Sequence, residues 1–369
     1  MQVSRHCCDT ARKGGIMMKH LLLVCLAFLF WSIPHAGQSC SSFFLDHGNS
    51  GVFGKNFDWF IRDGLVMANK RNVSKEAVIP RYPDQPTAKW VSRYGSITFN
   101  QFGREWPFGG MNEAGLVIEM MMHPEARYPA PDSRKAIAMT PWIQYQLDNF
   151  ASVEEVIASD SMIRIMSPEK RFPIHYLVCD KKGNCASIEF IDGKLVYHTK
   201  ETLPVKVLTN STYSECVRYW QQGRIPENDP HASFYRFNNA ADMVKNYNSK
   251  TTPSASDYAF KVLSNPNVKQ SHTLWSIVYD IEKSRIYFRT DANQNIRYID
   301  LKSFDFSCST PAKVLDINAA LSGEVTKHFV DYSDVINRNL LEKINRFYEM
   351  PTDILGKMSQ APEKGVCAQ

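Results

Sequence analysis

The residue with the clearest chemical potential in this chain is Cys40, because of the segment that precedes it. A short basic stretch leads into an apolar run over residues 21–31, which is too short for the about 20 residues that a membrane-spanning helix needs. The small residues Gly37 and Ser39 then supply a signal-peptidase site. These features predict a secretory signal peptide with an upstream extension over residues 1–39, and a periplasmic or secreted mature protein.

Cleavage before Cys40 would place a thiol and a free α-amine on one residue. A thiol nucleophile needs a base within hydrogen-bond reach. Since an α-amine titrates near ~8 and a thiol near ~8.5, proton exchange between them is almost balanced at neutral pH. Asp58 is expected to orient the ammonium group, and Lys55 to favour the thiolate. We therefore interpret Cys40 as an N-terminal nucleophile rather than as a small buried apolar residue.

A hairpin is the element that would position these side chains. Two β-like runs, 42–45 and 51–53, flank a turn-rich segment. Lys55 and Asp58 follow the second run closely, so pairing of the two runs would return both side chains to Cys40. The candidate site is therefore predicted to lie at the end of a two-stranded ribbon.

The rest of the chain alternates between groups of strands and helices. Hairpin strands are predicted at 174–179, 185–190, 194–198, 274–280 and 285–290. Helices are predicted at 141–150, 153–159, 237–246, 254–263 and 332–348. The proline-rich stretch 74–90 is expected to be an exposed loop, and 91–102 a strand pair around Gly95. This order predicts an α+β fold with two antiparallel sheets and helices outside them.

Composition and charge exclude several classes of protein. The formal net charge is +5, of which the leader carries +3, so there is no electrostatic case for nucleic-acid binding. The chain has neither a C-x-x-C motif nor a histidine-rich spacing that suggests a metal. We expect no metal and no cofactor.

Six of the nine cysteines lie from Cys40 onward, and an oxidising compartment would allow some of them to pair. Cys179 and Cys185 flank a turn-like segment and could face each other across a hairpin. If Cys40 stays free, five remain, so at least one more is unpaired. Three have no partner that spacing identifies: Cys216, Cys308 and Cys367.

Several short segments of the chain are notable for their residue types and for their order and spacing. They are Cys40 followed by G-K-N-F-D-W (54–59), G-M-N-E-A-G-L (110–116), V-L-T-N-S (207–211), Y-R-F (235–237) and W-S-I-V-Y-D (275–280). From Cys40 to about residue 300 the chain resembles the choloylglycine hydrolase family of N-terminal-nucleophile hydrolases, which contains bile-salt hydrolases and penicillin V acylases. The resemblance implies an αββα sandwich, assigned to 40–350, that hydrolyses linear non-peptide C–N bonds. Residues 351–369 are assigned as a C-terminal tail.

The resemblance also implies roles for individual positions. Cys40 matches the nucleophile, and Asp58 matches the carboxylate beside the new amine. Asn210 matches the asparagine that helps to hold the oxyanion. Arg236, in Y-R-F, falls where bile-salt hydrolases have the arginine of an S-R-F motif.

Two positions depart from the bile-salt hydrolase pattern. Lys55 falls where those enzymes usually have arginine, which keeps the charge but loses the bidentate fork. A second oxyanion asparagine of the family would fall at Met122, so that donor is missing or replaced. These departures favour a broader acylase over a dedicated bile-salt hydrolase.

The function predicted from the sequence is hydrolysis of an apolar acyl amide through a thioester acyl-enzyme. Phe57, Trp59, Met121 and Met122 are the candidate walls of an apolar pocket. The expected partner is a small-molecule amide, with no nucleic acid, no membrane after signal removal, and a homo-oligomer left open. The alternative is a lipid-anchored, non-catalytic binding protein in which Cys40 is the lipidated residue.

N-terminal sequencing of the active protein tests the central assumption. We expect the mature chain to begin at Cys40, because only then does one residue carry both nucleophile and base. Fully active enzyme that retained Ser39 or an earlier residue would contradict a single-residue mechanism.

Overall fold

A computed structural model describes residues 39–79, 85–166, 173–229, 232–360 and 366–368. The predicted signal peptide lies outside these residues, apart from Ser39. None of the helices within the described ranges is long and apolar enough to cross a bilayer.

β-Strands make up most of the structure between Cys40 and Asp331. In chain order they are β1 (Cys40–His47), β2 (Ser50–Asp58), β3 (Leu65–Asn69), β4 (Val73–Glu76), β5 (Lys89–Val91), β6 (Ser96–Asn100), β7 (Pro107–Asn112), β8 (Val117–Met122), β9 (Lys135–Ile137), β10 (Ile163–Ile165), β11 (Ile174–Cys179), β12 (Cys185–Ile191), β13 (Lys194–Thr199), β14 (Val207–Leu208), β15 (Thr273–Asp280), β16 (Arg285–Thr290), β17 (Arg297–Asp300), β18 (Lys313–Asp316), β19 (Gly323–Glu324), β20 (Val330–Asp331) and β21 (Val366–Cys367). The five strands predicted from the sequence as hairpins are all present.

Two large sheets contain most of these strands. The first has the order β14-β1-β2-β15-β16-β17-β19, and the second has the order β13-β12-β11-β8-β7-β6-β3-β18-β20. Every neighbouring pair in the second sheet is antiparallel. The first sheet is also antiparallel except for the final pair, β17 with β19. The prediction of two antiparallel sheets is therefore confirmed.

The β1–β2 hairpin sets the geometry of the candidate site. Its turn contains Gly48, whose φ of 62° is a left-handed conformation that glycine adopts without steric cost. The resulting register places Cys40 opposite Phe57. On the other side of β2, Thr273 of β15 lies opposite Asp58. The predicted ribbon is thus confirmed and lies between β14 and β15 in the first sheet.

Aromatic side chains from both sheets form the core between them. Phe99 of the second sheet packs edge-on against Tyr279 and Phe288 of the first, with ring centroids 6.2 and 5.7 Å apart. Phe43 of β1 is fully buried, and its ring lies where a Cβ at Gly54 would stand, at 2.3 Å. Full burial of one such side chain stabilises the fold by about 1.5–3 kcal/mol. The sheets are therefore held face to face by apolar packing.

Helices cover the outer faces. They are α1 (Met139–Asn149), α2 (Val153–Ala158), α3 (Tyr213–Gln221), α4 (Ser233–Lys245), α5 (Ala255–Ser264), α6 (Asp334–Tyr348) and α7 (Thr352–Gln360). α4 and α5 pack on β1 and β2, whereas α1 packs on β7 and β8. Helix α2 begins with a capping box, in which Ser152 and Glu155 bond each other's backbone N–H. The αββα sandwich is confirmed.

Two local predictions are wrong. The stretch 74–90, predicted as a loop, contains most of the paired strands β4 and β5. Val91 pairs with Ser74, and β6 pairs with β3 and β7, so 91–102 is not a strand pair around Gly95. The proline content of 74–90 indicated a loop. Contacts with residues distant in the sequence instead determine the conformation of this region. Lys75 of β4 is buried there, and its ammonium lies 3.0 Å from the carboxylate of Asp148.

The segment assigned as a C-terminal tail contains α7 and β21, and β21 pairs with β4. Cys40 and Cys216 are free and buried, which confirms that a second cysteine is unpaired. Two disulfides are formed among the described residues, namely Cys179–Cys185 and Cys308–Cys367.

Removing the disulfide that closes the longer loop should cost more stability. The chain-entropy relation gives about 4 kcal/mol for the separation of 59 residues in Cys308–Cys367 and about 2 kcal/mol for the separation of 6 in Cys179–Cys185. We expect the double serine variant of the first pair to lower the urea midpoint more than that of the second. Equal losses, or the reverse order, would contradict this loop-length argument.

Candidate active site

Cys40 is the first residue of β1 and is only 4% exposed. Lys55, Asp58 and Arg236 all lie near enough to act on its thiol electrostatically. Asn210 contacts its backbone, since the Cys40 N–H donates to Asn210 Oδ1 at 2.7 Å. The structure therefore brings together all five residues that the sequence predicted for the site.

The charges around the thiol oppose one another. Burial raises the pKa of the Cys40 thiol, because desolvation penalises the thiolate. The ammonium group of Lys55 is the largest influence that lowers this pKa, and the guanidinium of Arg236 lowers it further. The Asp58 carboxylate raises it, although the backbone of Asp58 lowers it through a hydrogen bond. Since burial dominates, the thiol needs a nearby base to take its proton.

Asp58 has one satisfied and one unsatisfied carboxylate oxygen. The Thr273 hydroxyl donates to Oδ1 at 2.5 Å, whereas Oδ2 is buried without a hydrogen-bond partner among the described residues. Burial raises the pKa of Asp58 to about 6, although the positive charge of Arg236 opposes the shift. An unpartnered buried acceptor is costly. An ammonium group formed at Cys40 by removal of residue 39 would be a suitable donor for it.

Arg236 reaches the site from α4 and holds the backbone of the nucleophile. Its Nη1 donates to the Cys40 carbonyl at 2.5 Å and to the Ser41 hydroxyl at 2.7 Å. Its Nη2 donates to Asn210 Oδ1 at 2.7 Å. The planar fork of donors suits this task. These bonds make Arg236 a positioning residue for both Cys40 and Asn210.

The side-chain amide of Asn210 is oriented by its neighbours. Oδ1 accepts from both Cys40 and Arg236, so the amide nitrogen must point the other way. Nδ2 donates to the Met122 carbonyl at 2.8 Å. Because Nδ2 carries two hydrogens, this bond leaves a second donor that could serve an oxyanion. Met122 occupies the position where the family has a second asparagine. It thus contributes its backbone carbonyl, which orients the side-chain amide of Asn210.

Lys55 points into the sandwich, where a residue missed by the sequence analysis accompanies it. Its Nζ donates to the Met120 carbonyl and lies 3.8 Å from Glu119 of β8. Tyr279 donates to Glu119 at 2.5 Å, and burial raises the pKa of Glu119 to about 7. Gly109 leaves room for this carboxyl group, since a Cβ there would lie 2.1 Å from its carbon. The sequence feature that could have identified Glu119 is its position as the only charged residue in the apolar run V-I-E-M-M-M.

A cavity of about 410 Å³ opens beside Cys40. Its walls are mostly aromatic and methionine side chains. The lining residues are Cys40, Phe57, Trp59, Phe102, Trp106, Phe108, Met120, Met121, Met122, Ala138, Met139, Thr140, Ile174, Tyr348, Glu349, Met350, Pro351, Ile354 and Met358. All four predicted wall residues are among them. The lining residues from Tyr348 onward were not predicted.

A buried cluster behind the site consists of His123, His175 and Glu189, with one ligand atom from each within 4.8 Å of the others. The two imidazole rings stack with centroids 4.5 Å apart and planes 12° from parallel. Imidazole binds a metal through a ring nitrogen, in the ring plane, so near-parallel rings do not converge on one ion. His175 instead donates to the Thr209 carbonyl at 2.7 Å, which supports the chain next to Asn210.

An αββα sandwich with a cysteine at the start of a central strand defines an N-terminal-nucleophile hydrolase. The chain matches the family model described as linear amide C–N hydrolases, choloylglycine hydrolase family, over residues 40–239. This is more than half of its 369 residues. The chain therefore belongs to the choloylglycine hydrolase family, and it is a hydrolase of linear amide C–N bonds.

Individual relatives agree with this assignment. The chain is 29% identical to the penicillin V acylase of Pectobacterium atrosepticum over 293 residues, which cover 66% of this chain and 77% of that protein. The structure of penicillin V acylase from Agrobacterium tumefaciens matches with a TM-score of 0.67 and 26% identity, over 80% of this chain and 98% of that one. A conjugated bile acid hydrolase from Clostridium perfringens shares the fold, with a TM-score of 0.61 and 20% identity over 77% and 98% of the two chains.

The influence of Lys55 on the thiol can be measured directly. In Lys55→Met we expect the pH profile of Cys40 alkylation by iodoacetamide to move upward by about 1 pH unit or more, because the charge that lowers the thiol pKa is lost. Lys55→Arg keeps the charge and should move the profile much less. An unchanged profile in Lys55→Met would show that Lys55 does not act on the thiol.

Proposed function

We propose that this protein is an exported amidase that cleaves an apolar acyl amide through a thioester on Cys40. One observation carries the proposal: a buried thiol, surrounded by Lys55, Asp58 and Arg236, faces an apolar cavity of about 410 Å³. The volume falls within the range of ligand-binding pockets. Membership of the choloylglycine hydrolase family supplies the reaction class.

The base in this mechanism is the α-amine that cleavage before Cys40 creates. The amine takes the thiol proton, the sulfur attacks the amide carbonyl, and the ammonium returns the proton to the leaving nitrogen. Water then attacks the thioester, with the amine again acting as base. Asp58 Oδ2 is suited to hold the ammonium, since it is buried without a partner among the described residues.

The oxyanion needs donors that are fixed before the reaction. The second N–H of Asn210 Nδ2 is one such donor, because Arg236 and the Met122 carbonyl fix the amide. A well-placed donor of this kind contributes about 3 kcal/mol to transition-state stabilisation. Backbone N–H groups complete the set in our proposal.

The walls of the cavity support an apolar acyl group. Phe57, Trp59, Met121 and Met122 all contact the space beside the thiol. Aromatic and fatty acyl groups bury well against such walls. Two relatives are penicillin V acylases, and the phenoxyacetyl group of penicillin V is aromatic. We therefore favour an aromatic or fatty acyl amide over a peptide.

The alternative, a lipid-anchored binding protein, is disfavoured by the surroundings of Cys40. A lipidated cysteine must lie where its acyl chains can reach a membrane, whereas Cys40 is 4% exposed within the central sheet. Lipidation would also acylate the amine on which the proposed mechanism depends. We retain export as part of the proposal, with signal removal before Cys40.

A substrate panel tests the proposed function. We expect penicillin V, or another amide with an aromatic or fatty acyl group, to be hydrolysed faster than an unblocked peptide. Cys40→Ala should abolish turnover and Cys40→Ser should slow it strongly. Cys216→Ala, which removes the second buried free thiol among the described residues, is the matched control and should retain activity.

Three outcomes would overturn parts of this proposal. Cleavage of the peptide alone would reject the substrate class. Cleavage of glycine- or taurine-conjugated bile acids alone would show that Lys55 and Met122 do not move the enzyme away from bile-salt hydrolysis. Near wild-type turnover in Cys40→Ala would place the chemistry elsewhere.

A further inference from the structure

The segment 348–358 forms one wall of the cavity, although it lies beyond the residues 40–239 that the family model matches. Six of its residues line the space: Tyr348, Glu349, Met350, Pro351, Ile354 and Met358. We propose that this segment, called here the C-terminal wall, sets the length of the acyl group that the enzyme accepts. The inference rests on the proposed function, because it concerns the acyl side of the same site.

The course of the chain explains how the wall is built. Helix α6 ends at Tyr348, and Glu349 caps it with a left-handed φ of 47°. Pro351 follows and suits the start of a new helix. In α7, Ile354 and Met358 are four residues apart and so share one face. That face is turned toward the cavity, since both side chains line it.

The wall is packed against the sandwich rather than resting loosely on it. Met358 is 6% exposed and belongs to an apolar cluster with Trp106 and Leu341. The indole N–H of Trp59 donates to the Tyr348 hydroxyl at 3.2 Å. A packed wall of this kind resists displacement by a ligand, so it can limit how far an acyl chain extends.

The chain is also anchored beyond α7. Cys367 of β21 forms a disulfide with Cys308, and β21 pairs with β4. At the N-terminal end of the wall, the buried side chains of Leu340 and Ile344 anchor α6 in the core. The C-terminal wall is therefore held at both ends.

We place the acyl group, rather than the leaving amine, in this space. In the thioester the acyl group stays bonded to Cys40, which itself lines the cavity. Methionine side chains adapt to chains of different shape. Each methylene that the cavity buries should tighten binding by about fourfold. This gain in binding should end at the length at which the acyl chain meets Ile354 and Met358.

Opposite substitutions at one wall position test the inference. Ile354→Trp should lower kcat/KM for a dodecanoyl anilide at least tenfold while changing that for an acetyl anilide less than twofold. Ile354→Ala should instead favour the longer chain. Asp353→Trp introduces the same side chain at an exposed position of α7 and should leave the acyl-length profile unchanged. Thermal unfolding of each variant checks that it is folded.

A second readout separates this inference from the proposed function. Acetate, hexanoate and dodecanoate are tested for protection of Cys40 against iodoacetamide in wild type and in each variant. If neither the anilides nor penicillin V is hydrolysed but dodecanoate protects wild type and not Ile354→Trp, the proposed function fails and the inference about the C-terminal wall stands. If a folded Ile354→Trp shows the wild-type profile in both assays, or if Asp353→Trp changes the profile equally, the inference is overturned.

Discussion

The burial of several charges beside one thiol is the constraint on which the rest of this structure depends. Lys55, Asp58, Glu119 and Arg236 are all withdrawn from water, and an isolated buried charge costs several kcal/mol. Each therefore needs partners, and these come from different parts of the fold. β8 supplies the carboxylate beside Lys55, and β15 supplies the hydroxyl for Asp58. Two face-to-face sheets with helices outside provide such partners from several directions at once.

In the proposed mechanism, the site is assembled before cleavage but does not yet have its base. With residue 39 still attached, Cys40 contributes a peptide N–H, which cannot act as a base. Arg236 and Asn210 already fix that nitrogen and the adjacent carbonyl. Among the described residues, the second carboxylate oxygen of Asp58 has no hydrogen-bond donor. In the proposed mechanism one bond cleavage supplies both the base and that donor, without any rearrangement of the sandwich.

In our proposals, the chemistry and the limit on acyl length depend on different parts of the chain. The nucleophile and the groups around it lie within residues 40–239, which the family model matches. The cavity that receives the acyl group also uses residues from α6, α7 and the turn between them. A wall built from a late segment can vary without disturbing the buried charges. This separation gives a physical reason why members of one family could differ in acyl preference.

Local patterns in the sequence were enough to predict the candidate nucleophile and its nearest neighbours. Cys40, Lys55 and Asp58 lie within one hairpin, whose turn and alternation are readable over a few residues. Asn210 and Arg236 came from the family resemblance. Only the tertiary structure decided the pairing of Lys55 with Glu119, the orientation of the Asn210 amide, the Cys308–Cys367 disulfide and the C-terminal wall. Each of these features joins segments that are far apart in the chain. Neither segment alone carries a periodic pattern that would identify its partner.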